Sequence, residues 1–494
     1  MGDTTLPQHT CNSVPLIIDG EEFRPDGTEY TFFADNFGKH LTQSYEIPIH
    51  GADVKSCNLA VDSCARAFTS WRESSPHHKR HLFHKTVTLL REREVEIRSI
   101  MEQEINCTPT WSHINFEDSI RIIEEAAALV TSPTLGGIIP PATSVKSQAL
   151  VFIEPLGVII GIAPWNSPLI LGLRAVVAPI AAGNTAILKG SELSPRTHYF
   201  VARLFKDAGF PPGVLNFLVH REQDGPEIFK TLIERPEVRK CNFTGSTPVG
   251  RILASQAARS LKPMLLELGG KNFAVVMKDA DLDQAARLVV EGAFLNNGQI
   301  CMSTDIVLVD KSILSDFKGK VLALVQDPVS APPITPVINS KSATRIRQLL
   351  SDAEAKGAKV TKVPQPASQQ TTFDASQIIP ATIIEDITPS MAFYSQEGFG
   401  PLLGILPFST PEEAAAVISS CPYGLSASIF TQNHFAALKF GRSLRVGAIH
   451  INGATVHDGS TLPHGGHGDS GWGRFGASWG LQEFVQTKTM ILNE

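Results

Sequence analysis

Four short segments of the 494-residue chain set reactive side chains beside turns that could serve them. In Phe294-Leu-Asn-Asn-Gly-Gln-Ile-Cys301 a cysteine follows a Gly-Gln turn leaving a helical stretch, so backbone N–H groups can face an incoming oxygen. A free thiol with a pKa of about 8.5 is only a few per cent thiolate at neutral pH, so a nucleophile there needs positive potential or a base. An isolated cysteine is more often a small buried hydrophobe, and this segment alone leaves both readings open. In Leu266-Glu267-Leu268-Gly269-Gly270-Lys271 an acid interrupts an apolar strand before a glycine pair. Burial raises such a carboxyl toward the range of a general base for water, unless turn N–H groups satisfy its charge. Asn166, in Ala163-Pro164-Trp165-Asn166-Ser167-Pro168, sits at a strand's carboxyl end. There its amide either donates to an oxyanion or caps the next turn. Phe243-Thr244-Gly245-Ser246-Thr247-Pro248-Val249-Gly250 is a strand, glycine turn and helix start, whose free N–H donors suit a phosphate. Its Gly-x-x-x-x-Gly spacing differs from the usual dinucleotide fingerprint.

The elements that must hold these segments are legible in the periodicity. Val54 to Trp71, His78 to Glu104 and His113 to Val130 carry apolar residues at three- and four-residue spacing, which predicts amphipathic helices. From Val151 short apolar runs alternate with helical stretches: Val158 to Ala163, Thr185 to Leu188, Val214 to Val219 and Lys240 to Phe243. That alternation predicts βαβ units around a parallel sheet. A helix over Pro195 to Ala208 has Ser194 as its expected cap and Gly209 as its left-handed exit. A second series follows: strand-like Phe273 to Met277, helical Leu282 to Phe294, strand-like Ile306 to Val309 and helical Ile313 to Val325. Four prolines make Gln326 to Pro336 a surface loop.

Composition bounds the function. At 43% hydrophobic and 19% charged residues the chain is an ordinary globular one, long enough for more than one core. A formal net charge of -6 with no dense basic stripe argues against nucleic acid as a partner. Seven scattered cysteines without a Cys-x-x-Cys pair argue against a disulfide framework or zinc site and fit a reducing compartment. No secretory or lipidation signal is visible, and Leu156 to Ala163 falls short of the roughly 20 residues that span a bilayer. A cytoplasmic location without membrane association is expected.

In their order, Pro-Trp-Asn, Lys-x-Ser-Glu (Lys189, Ser191, Glu192), Phe-Thr-Gly-Ser, Glu-Leu-Gly-Gly-Lys, Gly-Gln-x-Cys and Glu-x-Phe-Gly-Pro (Glu397, Phe399, Gly400, Pro401) resemble the aldehyde dehydrogenase superfamily. The resemblance runs from about Ile17 to Thr487-Lys488. It implies an α/β fold with a Rossmann-like cofactor domain of residues 1–131 and 152–266 and an α/β catalytic domain of 267–476. A small β oligomerisation element, 132–151 with 477–494, implies a homodimer or homotetramer. By the same resemblance Cys301 is the nucleophile, Glu267 the general base, and the Asn166 amide with the Cys301 N–H the oxyanion hole. Lys189 and Glu192 meet the adenosine ribose, Gly245 and Ser246 the pyrophosphate, Glu397 and Phe399 the nicotinamide end, and Trp165 joins this cofactor set. Glu192 accepts hydrogen bonds from a ribose 2′-hydroxyl and repels a 2′-phosphate, so NAD is expected over NADP.

Asn166-Ser-Pro-Leu-Ile-Leu-Gly-Leu-Arg174 and Gly298-Gln-Ile-Cys-Met-Ser-Thr304 are most similar to the salicylaldehyde and vanillin dehydrogenase branch, which implies an aromatic or bulky aldehyde substrate. Small Ser167 leaves room for a ring. Arg174 either pairs with a ring substituent or with a neighbouring acid. Trp111 and Thr455 to His457, with Val456 at its centre, are candidates for the pocket wall. Three departures stand out. Gly190 replaces the usual proline, which loosens that turn. Gly398 replaces a larger residue, which makes Glu397 more mobile. Leu462-Pro463-His464-Gly465-Gly466-His467 replaces a Pro-Phe-Gly-Gly pattern. With His457 and Asp458 nearby the two histidines suggest a metal, but glycine-rich spacing fixes no ligand geometry; a polar surface or pocket-rim loop without metal is expected. The rivals are acyl transfer to coenzyme A, which needs no base at Glu267, and a scaffold that keeps only the fold.

Overall fold

The computed structural model describes residues 13–34, 45–327, 331–333, 335–363 and 375–494. The first twelve residues of the N-terminal stretch, and 328–330 and 334 of the proline-rich loop, lie outside the described residues.

Val158–Ile162 is an apolar run buried on both faces, as strands of a helix-covered parallel sheet are. It lies inside an eight-stranded sheet, parallel to Thr185–Lys189 on one side and Val238–Thr244 on the other. Met264–Glu267 continues this sheet beside Val238–Thr244, with Glu267 opposite Thr244. The short strand Gly471–Trp472 then returns antiparallel and sets Gly471 against Glu267. The end of the chain is thereby brought to the acid.

A seven-stranded sheet is built around Asn272–Val276, Thr304–Asp310 and Ser426–Phe430, with Leu402–Phe408 next in parallel order. The two-residue period of a strand divides its core. Phe273, Val275, Ile306 and Leu308 face one apolar cluster, while Ala274, Val276, Val307 and Val309 face another. Helix Leu282–Phe294 packs into the second cluster through Ala285, Val289 and Ala293. A separate ribbon pairs Ser147–Pro155 with Val485–Asn493 over nine residues.

Two local expectations are corrected. His78 to Glu104 is not one helix: it breaks at Arg93 (φ -108°, ψ 21°) into Pro76–Glu92 and Glu94–Ile105. The break re-aims the second helix so that Glu104 meets the start of helix Pro195–Ala208. Its carboxylate accepts the Arg196 N–H at 2.5 Å, the Thr197 N–H at 2.9 Å and the Thr197 hydroxyl at 2.6 Å. Ser194, the expected cap, makes no capping bond; its hydroxyl lies 3.3 Å from His198 Nδ1. Gly209 does end that helix in the left-handed region (φ 92°). Among the described residues no helix is long and apolar enough to cross a membrane.

Candidate active site

Asn166 and Cys301 come together because a strand-to-helix turn and a strained loop meet. Gly161 lets helix Pro168–Ala181 lie close on its strand: a Cβ there would stand 2.6 Å from the Ala175 carbonyl. The loop opposite holds three successive left-handed residues, Asn296 (φ 49°), Asn297 (φ 55°) and Gly298 (φ 67°). Asparagine and glycine are the residues that enter this region readily. At position 298 a side chain is excluded outright, since a Cβ would lie 2.1 Å from the Gly400 carbonyl. Side-chain amides hold the loop: Asn297 donates to the Thr335 carbonyl at 2.6 Å, and Gln299 accepts the Ile338 N–H at 2.9 Å. The Asn166 amide donates to the Gln299 carbonyl at 3.0 Å, two residues before Cys301, and keeps its second N–H. Trp111 is not a free pocket wall; its indole N–H donates to the Asn166 carbonyl at 2.9 Å. Val456 is half-buried against the core beside Thr455, whose hydroxyl lies 2.8 Å from that of Thr304.

Two residues that sequence reasoning passed over brace the turn after Glu267, Asn272 against the Cys301 loop and Ser470 against the C-terminal loop. The Asn272 amide donates to the Cys301 and Ser303 carbonyls at 2.8 and 2.9 Å. Ser470 donates to the Gly269 carbonyl at 2.8 Å while its backbone carbonyl accepts the Leu268 N–H at 3.0 Å. An asparagine that opens a strand and a serine in a loop carry no periodic signal that would have marked them.

Glu267 is 1% exposed, and neither carboxylate oxygen has a hydrogen-bond partner among the described residues. Arg174 Nη2 stands 3.7 Å from one oxygen and His464 Nε2 3.7 Å from the other. The expectation that burial leaves this carboxyl raised is corrected. Burial does push it up, but His464, Arg174 and Cys301 together hold it below the ordinary carboxylate range. Burial pushes the Cys301 thiol well above its ordinary range; the Glu267 and Glu397 carboxylates add to this and Arg174 opposes it. Arg174 itself pairs with Asp458 at 2.7 Å, and its guanidinium lies 5.0 Å from the Phe475 ring centre. Of its two readings, pairing with a neighbouring acid is the one observed. Of the surface and pocket-rim readings of its loop, His464 fits the rim, being 7% exposed, 3.7 Å from Glu267 and in the lining of a cleft with Arg174 and Asp458, while His467 is exposed. Among the described residues no three or more His, Cys, Asp or Glu are gathered as metal ligands.

Trp165, Lys189 and Ser246 sit at or just after the ends of the neighbouring strands Val158–Ile162, Thr185–Lys189 and Val238–Thr244. Ser246 precedes helix Thr247–Arg259 without capping it, which leaves first-turn donors for a phosphate. Lys189 Nζ is 3.7 Å from Glu192, which lines a cleft with Tyr30, Asn106 and Arg221. Arg221, the basic residue of this cleft, is held by Asp224 at 2.7 Å. Gly190 does not loosen its turn: a Cβ there would meet His198 at 2.7 Å, and His198 Nδ1 accepts the Ser191 N–H at 3.2 Å. Gly398 does not free Glu397 either. Its N–H donates to Asp305 at 2.7 Å, a Cβ would lie 2.6 Å from that carboxylate, and Arg345 donates to the Glu397 and Gly398 carbonyls. Glu397 accepts the Gly270 N–H at 3.0 Å, and burial, against that bond, pushes its carboxyl up to about 8. The Phe399 ring meets Trp165 edge-on with centres 5.8 Å apart.

Comparison with known proteins places this geometry. The model of the family described as Aldehyde dehydrogenase family matches residues 39–490. Vanillin dehydrogenase of Pseudomonas fluorescens is 35% identical over 97% of this chain and 98% of its own. The crystal structure of a salicylaldehyde dehydrogenase from Pseudomonas putida G7 complexed with salicylaldehyde superposes with a TM-score of 0.90 at 32% identity, covering 98% of each chain. NADP-dependent glyceraldehyde-3-phosphate dehydrogenase from Bacillus halodurans gives a TM-score of 0.88 at 28% identity, over 97% of this chain and 99% of its own. Solved structures of this fold thus include NAD-dependent and NADP-dependent enzymes.

Proposed function

We propose, for a chain that belongs to the aldehyde dehydrogenase family, the oxidation of an aromatic or otherwise bulky aldehyde to the carboxylic acid through a thioester on Cys301, with NAD as the preferred cofactor. The observation that carries this reading is the convergence of three side chains: the Asn166 amide bonded two residues from Cys301, and Glu267 close enough to shift the Cys301 thiol. The relatives that act on vanillin and salicylaldehyde support the aromatic class, as does small, buried Ser167 after the oxyanion asparagine.

In the forward direction the Cys301 thiol first gives up its S–H proton to solvent, the thiolate attacks the aldehyde carbon, and the new oxyanion takes donors from the Asn166 amide and the Cys301 N–H. A dinucleotide, when bound, supplies the hydride acceptor. Ser246 and its helix start suit its pyrophosphate, Lys189 and Glu192 its adenosine ribose, and Glu397, Phe399 and Trp165 its nicotinamide end. Glu267 then takes a proton from the water that attacks the thioester. The carboxylate of Glu192 disfavours a 2′-phosphate, and the cleft's basic Arg221 is already spent on Asp224. The domain division proposed is 1–131 with 152–266 for the dinucleotide, 267–476 for catalysis, and 132–151 with 477–494 for assembly.

A panel of hydroxylated benzaldehydes and straight-chain aldehydes, followed by absorbance of the reduced cofactor with NAD or NADP, tests both halves. Higher kcat/KM on the benzaldehydes and with NAD is expected. A preference for short aliphatic aldehydes would sink the substrate class, and higher efficiency with NADP the cofactor assignment.

A further inference from the structure

Glu267 and three other charged or titratable side chains form a closed ring. Glu267 Oε1 faces His464 Nε2 at 3.7 Å, and His464 Nδ1 faces Asp458 Oδ1 at 3.6 Å. Asp458 Oδ2 binds Arg174 Nη1 at 2.7 Å, and Arg174 Nη2 returns to Glu267 Oε2 at 3.7 Å. The ring is built into the fold. The His464 backbone exchanges two hydrogen bonds with Phe475, at 2.9 and 2.8 Å, and Phe475 carries the Arg174 guanidinium on its face. Within the ring Glu267 Oε1, Glu267 Oε2 and His464 Nε2 are buried polar atoms left without a hydrogen bond. Native interiors rarely leave such atoms idle, and a functional site is where they persist.

We propose that His464, oriented by Asp458, takes the proton that Glu267 collects from water during thioester hydrolysis and passes it to the cleft that His464 itself lines. This rests on the reading of Glu267 as base. In the step, a water O–H bond breaks as its oxygen bonds the acyl carbon, and the proton goes to the Glu267 carboxylate. The C–S bond then breaks, its electron pair stays on Cys301, and the carboxyl product leaves. The proton on Glu267 moves from Oε1 to His464 Nε2, across a 3.7 Å separation that one bridging water or a small side-chain shift closes; this restores the carboxylate for the next turnover, and Asp458 balances the imidazolium. From His464 the proton reaches the cleft lined by Asp118, Arg121, Glu125, Arg174, Asp458 and His464, where the Asp458 side chain is 25% exposed. Histidine is the side chain type that takes and returns a proton near neutral pH. His464 touches no reacting atom in this scheme and is a positioning and relay residue.

The test compares wild type, His464→Gln and Glu267→Gln. Acyl-enzyme decay is read by rapid quench and intact mass, with the burst of reduced cofactor and the kcat–pH profile alongside. His464→Gln keeps a hydrogen-bonding side chain of similar reach but cannot carry the proton. It should keep the full burst and slow acyl-enzyme decay roughly 10- to 100-fold. The kcat–pH profiles of wild type and variant should differ, since only the wild type carries an imidazole in the ring with Glu267, Asp458 and Arg174. His464→Ala, with the same burst, should regain part of its decay rate in added imidazole. Wild-type decay and pH profile in His464→Gln overturn the relay. If Glu267→Gln is slow while His464→Gln is normal, only the relay falls; if Glu267→Gln decays at the wild-type rate, the base assignment falls with it.

Discussion

Glu267 and Cys301 pull each other in opposite directions. The carboxylate helps push the thiol up, while the thiol, His464 and Arg174 help pull the carboxyl down against its burial. The resting pair therefore keeps a proton on sulfur and a charge on the acid. Glu267→Gln removes that charge, so the thiol should titrate lower and the pH at which the burst rate rises should move down. Deacylation loses its base, and steady-state turnover should drop about 100-fold or more while burst amplitude remains. Stopped-flow traces across pH check this; equal loss of burst and turnover would show that Glu267 serves the thiol instead. At this scale Cys301, Glu267 and Asn166 stood out as candidates from residue type and flanking turns alone. The direction of the Glu267 shift was not legible there, because His464 is 197 positions away along the chain and only the fold puts its ring 3.7 Å off.

Helices and strands were read from periodicity with few errors, and the errors have one source. A helix pattern records which face is apolar, not whether the backbone continues through Arg93, so two helices in similar phase looked like one. That break is what delivers Glu104 to helix Pro195–Ala208, where a distant carboxylate replaces the local serine as cap. Glu104→Ala should strand three buried donors and cost about 2 kcal/mol or more, whereas Ser194→Ala, which removes one 3.3 Å contact with His198, should cost less, about 1 kcal/mol. Thermal unfolding of the two variants separates them, and equal losses would return the capping role to Ser194. The glycines at 190 and 398 carry the same lesson. Each reads as slack in the sequence and proves to be clearance, for His198 at one and Asp305 at the other.

Across the whole molecule the ribbon of Ser147–Pro155 and Val485–Asn493 stands apart from the two large sheets. Its side chains include exposed Phe152, Met490, Ile491 and Leu492. A two-stranded ribbon is marginal by itself, and an apolar one invites a covering surface. We propose that a second copy of the chain provides it. Light scattering at micromolar concentration should give a dimer or tetramer, and deletion of residues 485–494 should give a monomer with lower thermal stability. A monomeric intact chain would overturn the assembly.

What the chain determined by itself was local: which runs form strands or helices, where turns must be, and which ordered motifs mark the aldehyde dehydrogenase family. These follow from side-chain type and from spacings of two to eight residues, which a linear reading records fully. The tertiary structure alone decided which distant groups share a dielectric and a charge. Arg174, Glu267, Asp458 and His464 come from a helix, a strand end and the loops before a returning strand, and they meet because Gly471 pairs with Glu267 at the sheet edge. Coulomb interactions act through a few ångströms of space whatever the distance along the chain, so the state of the acid was a property of the fold.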